Sequence, residues 1–224
     1  TQQDDPCSRR QVGLDGIPPT APVVPGQDSR IHDLPSRYYE QGTNGLCCQQ
    51  IITHLPALDD ELLPLLTLYT RCATELGCGD RDYLATQSWM DSISGGVHAY
   101  SSVRGMTNDI QNISGFFTLS GKALVCNHAE LSALMQDMLE RARFEELPRI
   151  REIIAQDRAR RGQAITSQGH SLAIAAACSG MSPATALHHR LRGFSGIQAL
   201  KQLDDTLNDN AQLQGLADKF AHIH

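Results

Sequence analysis

The sequence has no apolar run of the roughly 18–20 residues that a bilayer-spanning helix requires, so no membrane partner is expected. It has no surplus of positive charge either. Its 19 Lys and Arg stand against 25 Asp and Glu, a formal net charge of −6, which excludes a broad electrostatic footprint for nucleic acid. The cluster Arg158, Arg160 and Arg161 is a local exception; beside Glu152 and Asp157 in a helical stretch, it reads as a solvated helix face. No basic region followed by an apolar one opens the chain, so no secretory signal is expected. The seven cysteines include no C-x-x-C pair and are odd in number. Without a secretory signal they read as free thiols in a reducing, intracellular compartment. Cys48, Cys72 and Cys178 sit in apolar surroundings, where cysteine behaves as a small hydrophobe. The missing initiator Met and the plain ending His222-Ile223-His224 both fit a segment of a longer chain.

Catalytic constellations are missing too. Neither H-E-x-x-H nor H-x-x-E-H occurs, and no two of the nine histidines lie one helical turn apart with a glutamate between them. His188 and His189 are adjacent, so they point about 100° apart on a helix and share a ligand poorly. They read as surface or domain-interface residues. His222 and His224 lie at a chain end, which is usually mobile. There is no G-x-S-x-G elbow, no Walker loop and no G-x-G-x-x-G after a strand. Ser94-Gly95-Gly96 and Ser120-Gly121-Lys122 look like phosphate-loop fragments. Each lacks the spacing that aims several backbone donors at one phosphate, so both read as strand or turn. Glu61 suits the positive end of a helix and needs no other role. A cysteine meeting a histidine in space stays open, because such pairs need not be close in sequence. No catalytic, cofactor-binding or metal residue is assigned.

What is present is an ordinary folded composition, 41% hydrophobic and 20% charged, over a length that holds one large domain or two small ones. Residues 1–28 carry Pro18, Pro19, Pro22 and Pro25 among glycines and read as a linker or strap. Residues 29–224 read as a single domain. The pair Asn44-Gly45 predicts a hairpin joining the stretch ending at Tyr38–Gln41 to a buried strand over Leu46–Leu55. Asp59 reads as the cap of a helix to Leu76, apolar on most sides, and Gly77 and Gly79 stop it. Asp80 caps the next helix, to about Ile93. Val97, Ala99, Ser101 and Val103 then alternate with His98, Tyr100, Ser102 and Arg104, a strand with two distinct faces. It turns over Gly105–Asp109 and returns over Ile113–Leu119.

From Asn127 onward only helices are predicted. The first is capped by Asn127. The second starts near Pro148, with pairs Glu145–Arg149 and Asp157–Arg161 and a bend or stop at Gly162. The alanine-rich stretch Ser171–Cys178 should pack closely, Ser182-Pro183 starts another helix, and Leu207, Leu213, Leu216 and Phe220 mark the last. Strands, two helices, strands and then many helices make an α+β domain: a small, mostly antiparallel sheet with helices on one face.

Several stretches resemble the pitrilysin/insulinase superfamily of zinc peptidases, in its presequence-protease-like branch. They are Leu55-Pro56-Ala57-Leu58-Asp59-Asp60-Glu61-Leu62-Leu63-Pro64-Leu65, Thr74–Tyr83, Ser94–Val97 leading to Ser101–Arg104, and Leu119–Leu124. The resemblance covers about Gly13 to the end. It implies two homologous halves, each of two α+β domains, clasped around a chamber that holds unfolded peptides. The zinc ligands lie in the first domain. This segment resembles the third domain, the start of the non-catalytic half. The helix that would correspond to the zinc-bearing one offers Leu65, Leu66, Thr67, Leu68, Tyr69 and Thr70, none a suitable ligand. Zinc is therefore expected in the missing N-terminal half and no cofactor in this segment. The implied partners are the other domains of the same polypeptide and an unfolded peptide. Tyr100, Ser102 and Arg104 are candidate peptide contacts, and the isolated domain should self-associate through surface its neighbours would cover. The bacterial cytoplasm and the mitochondrial matrix both suit such a protein. A non-peptidase structural relative and a free-standing binding or dimerisation module are the alternative readings.

Overall fold

A computed structural model describes residues 13, 17, 19, 20 and 23–224. Most of the expected strap, residues 1–12, 14–16, 18, 21 and 22, lies outside the described residues. The chain divides into two units, one of residues up to Asn44 and one of Gly45–His224.

The first unit contains a hairpin of β1 (Gln27–Ile31) and β2 (Leu34–Tyr38), paired antiparallel from Gln27↔Tyr38 to Ile31↔Leu34. Its turn is His32-Asp33, with His32 at φ +53°. Arg30 Nη2 donates to Asp33 O at 2.6 Å and steadies the turn. Here the hairpin expected across Asn44-Gly45 is corrected. Both residues have the positive φ of a turn, +53° and +80°, but β2 pairs back onto β1 and β3 pairs with a later strand. A left-handed pair of residues fixes a reversal; it does not choose which strand supplies the hydrogen bonds.

In the second unit β3 (Leu46–His54), β4 (Ser94–Met106) and β5 (Asp109–Leu124) form an antiparallel sheet in the order β3-β5-β4. β4 and β5 are longer than their alternating runs suggest. The sixteen residues of β5 serve two partners, so Leu119 lies opposite both Ile51 and Ala99. Ser94-Gly95-Gly96 is a register shift at the start of β4, with Gly96 at φ +105°. Gly121 lies inside β5 under a helix, and a Cβ there would stand 2.8 Å from Leu131 Cδ1 and 3.1 Å from Met135 Sδ. The two glycine-bearing stretches therefore lie in the sheet and shape it, as the strand reading expects.

Among the described residues eight α-helices follow or interrupt the strands: α1 (Leu66–Glu75), α2 (Tyr83–Ile93), α3 (His128–Glu140), α4 (Leu147–Ser167), α5 (Gly169–Ala177), α6 (Pro183–Arg192), α7 (Phe194–Thr206) and α8 (Asn210–Ile223). The α+β architecture of small antiparallel sheets with helices packed against them is as the element order leads one to expect. Eight of the ten α1 residues are buried, matching its broad apolar stripe. Around it Leu131, Leu134, Met135, Ile150, Ile153, Ile154 and Phe220 are fully excluded from solvent. Removing one such side chain to alanine costs roughly 2–5 kcal/mol.

Several element ends differ from expectation. Asp59 Oδ1 accepts from the N–H groups of Glu61 and Leu62, but a 3-10 turn over Leu63–Leu65 takes up Pro64 before α1 begins. Asp82, not Asp80, caps α2 by accepting from Ala85 N at 2.8 Å. Asn127 spends its amide on Ile93 O at 3.0 Å and leaves α3 uncapped by its side chain. Arg149 meets Glu75 and Glu152 instead of Glu145, which Arg143 holds. Gly162 does not interrupt α4, which runs on to Ser167. The alanine-rich α5 packs less closely than expected: none of its residues is buried, and Ile174 is 60% exposed.

Candidate functional site

The expected peptide contacts lie on β4. Tyr100, Ser102 and Arg104 occupy alternate positions and so share one face of the strand. Tyr100 is exposed and lines a cleft of about 680 Å³; Ser102 and Arg104 follow it along the strand outside that cleft.

The cleft is built where six elements meet. α1 contributes Thr67, Thr70, Arg71 and Glu75, and the C-terminal half of α4 contributes Arg160, Arg161 and Gln163. Arg192 at the end of α6 and Tyr100 on β4 complete the polar lining, while Leu172 of α5 and Ile197 of α7 supply apolar wall. Four guanidiniums therefore line one cleft in a chain whose overall charge is negative.

The arginines are held by one carboxylate. Asp157 is fully buried and lies 3.2 Å from Arg71 Nη1 and 2.7 Å from Arg161 Nε, with Arg160 also paired to it. The Arg161–Asp157 approach is close but off the line of a hydrogen bond at Oδ2. Arg161 extends further, donating to Leu191 O at 2.9 Å and Thr67 Oγ1 at 3.0 Å. Burial lowers its pKa, opposed by the field of Asp157. Arg71 also pairs with Glu75 at 2.8 Å, and Glu75 is shared with Arg149 at 3.4 Å. Arg192 has no acidic partner among the described residues. An anion entering the cleft would meet unmatched positive charge, with the Gln163 amide beside it as a further donor.

Sequence reasoning noticed Arg158, Arg160 and Arg161 but read them as one solvated face. Arg161 is largely buried, and Arg158 turns away to Asp204 at 2.5 Å and Asp205 at 2.7 Å. The Asp157–Arg161 spacing was the available signal. What it lacked was α1, which brings Arg71 to the same carboxylate across 86 residues of sequence.

No other group forms a reactive set among the described residues. Ser195 Oγ lies 2.8 Å from His189 Nε2, but His189 Nδ1 is buried without a partner, so no carboxylate orients the ring. Burial pushes the thiols of Cys72 and Cys78 up, suppressing thiolate. The cysteine hydrogen bonds go to Thr86 and Asn127, not to a histidine. No cluster of three or more His, Cys, Asp or Glu among the described residues suits a metal, and Leu66, Thr67, Leu68, Tyr69 and Thr70 of α1 are not zinc ligands. The chain-end reading of His224 is corrected: its ring packs on Phe144 and Nδ1 meets Tyr69 Oη at 3.0 Å. Among the described residues no helix is long and apolar enough to cross a membrane.

The geometry describes an α+β domain with an arginine-lined cleft. Comparison with known proteins places it further. The family described as "Peptidase M-16-C associated" matches residues 11–203, and the chain belongs to that family. It is 23% identical over 223 residues to the mitochondrial presequence protease of Danio rerio, covering 100% of this chain and 22% of that protein. Against presequence protease 1, chloroplastic/mitochondrial, of Arabidopsis thaliana it is 24% identical over 202 residues, 89% of this chain and 18% of the relative. Against the mitochondrial presequence protease of Yarrowia lipolytica it is 26% identical over 187 residues, 84% of this chain and 19% of the relative. The chain thus spans about a fifth of the length of the curated relatives it matches.

Proposed function

We propose that this chain is the third domain of a presequence-protease-like zinc peptidase, non-catalytic itself and helping to enclose the chamber in which unstructured peptides are cut. One observation carries the reading. α1, the helix that the resemblance aligns with the zinc-bearing helix of the first domain, presents buried Leu66, Leu68, Tyr69 and Cys72 to the core and no set of metal ligands. The zinc then belongs to the missing N-terminal half. The exposed apolar side chains Ile174, Met181 and Phe194 suit contact with the other domains of the polypeptide, and the isolated chain self-associates through them. Tyr100, Ser102 and Arg104 face the substrate peptide. A matrix-like or cytoplasmic compartment suits the free thiols.

The test is made on the full-length polypeptide and on this chain alone. The full-length polypeptide binds zinc and cleaves unstructured peptides; this chain alone does neither. Zinc bound by the isolated chain, or a folded full-length polypeptide without zinc, would overturn the reading, the second outcome identifying a non-peptidase relative. Arg104→Ala in the full-length protein raises the peptide KM; an unchanged KM removes Arg104 from the substrate contacts. Light scattering that finds the isolated chain monomeric at high concentration removes the self-association.

A further inference from the structure

We propose that the arginine-lined cleft between α1, β4 and the C-terminal half of α4 is a binding site for a peptide carboxylate, an inference that rests on the enclosing-domain reading above. Four guanidiniums, from Arg71, Arg160, Arg161 and Arg192, line a volume of about 680 Å³, large enough for a few residues of extended chain. Among the described residues two carboxylates answer them. Asp157 is buried behind the wall and already holds three of the arginines in place. Glu75 is divided between Arg71 and Arg149. The cleft is left with a net positive field and a rigid frame. Arg161 is fixed at its far end by Thr67 Oγ1 and Leu191 O, so little side-chain freedom is lost when a ligand arrives.

The arrangement selects a class of ligand. Guanidinium forks match a planar carboxylate, and their bonds to it are stronger than neutral ones. Gln163 adds an amide for a backbone beside it, and the Ser167 hydroxyl, which donates to Gln163 O, keeps its oxygen as an acceptor. Leu172 and Ile197 leave apolar wall for a small side chain. Tyr100 stands at the cleft and begins a line with Ser102 and Arg104, spaced by two residues along β4, or about 7 Å per step. A chain anchored by its carboxylate at Arg192 and Arg160 would be led out along that face. Strongly basic peptides would be repelled over the same ground unless their free C-terminus supplied the anion.

The measurement is equilibrium binding to the full-length polypeptide under metal chelation, so that no cleavage is needed and failure of the peptidase reading is scored separately. Three fluorescent peptides share one neutral body: one ends in a free carboxylate, one in an amide, and one in an amide after two internal glutamates. The wild type is expected to bind one or both acidic forms about tenfold more tightly than the neutral amide at low salt, with the preference shrinking as salt rises. Arg192→Gln, at an exposed site without an acidic partner, removes most of that preference without disturbing the fold. Arg160→Gln repeats the loss while leaving Asp157 paired to Arg71 and Arg161. Preference for the free terminus alone assigns the cleft to chain ends; equal preference for the glutamate peptide assigns it to acidic segments. Equal affinity for all three peptides, or a preference that survives both substitutions, overturns the proposal.

Discussion

The two halves of α4 belong to one unbroken helix and live in different surroundings. In the first half Ile150, Ile153 and Ile154 are wholly excluded from solvent against α1, α8 and the rest of the core. In the second half Arg160, Arg161 and Gln163 line an open, charged cleft. Asp157 is the joint between them, as buried as the isoleucines yet ionic. The first half is held by non-directional burial, which scales with apolar area. The second is held by a few directional contacts that fail together when one member is removed. A helix can thus be core at one end and binding wall at the other, and the change of regime is carried by a single carboxylate.

The comparison breaks most readily at its joint. Asp157→Ala leaves Arg71 and Arg161 partly buried without their shared counter-charge and should cost about 4 kcal/mol, read as a fall in the urea midpoint. A loss below about 1 kcal/mol would mean that the arginines simply swing into water. Ile153→Ala, in the dry half, should cost about 3 kcal/mol through lost burial and the cavity it leaves. Unlike Asp157→Ala, that loss should be insensitive to salt, and a strong salt dependence would blur the distinction between the halves.

Tyr69, packed near Phe117 and Phe144 in the core, sharpens the same contrast by pH. Burial raises its pKa from 10.0 to about 12. The folded state then keeps a proton that the unfolded chain loses, so its contribution is intact below pH 10 and is lost as pH rises from 10 to about 12. The loss approaches roughly 2 kcal/mol and should be missing in Tyr69→Phe when alkaline unfolding is compared. The smallest effect lies in the cleft half: a Cβ at Gly162 meets nothing within 4 Å. Gly162→Ala should raise stability by about 0.5–1 kcal/mol and leave peptide binding unchanged. A destabilised variant would show that α4 needs flexibility at this point.

Much of the architecture could be read from the chain. The wide stripe of α1 announced a covered helix, and the period-two run from Val97 announced β4. Both signals are local, because burial on most sides and on one side leave different periodicities. The hairpin partner at Asn44-Gly45 could not be read, because turn residues fix geometry and not pairing. α5 was overestimated for a related reason: alanine permits close packing, yet offers too little apolar area to demand it.

The sequence by itself determined the class of fold, the lack of a zinc motif and the family resemblance, since periodicity and short-range motifs survive in a string of residues. Only the tertiary structure decided that Arg71 and Arg161 share Asp157, that Arg192 joins them, and that Tyr100 stands beside them while Ser102 and Arg104 do not. Those groups come from α1, β4, α4 and α6, and a charge is matched or unmatched only by what folding brings within a few ångströms of it.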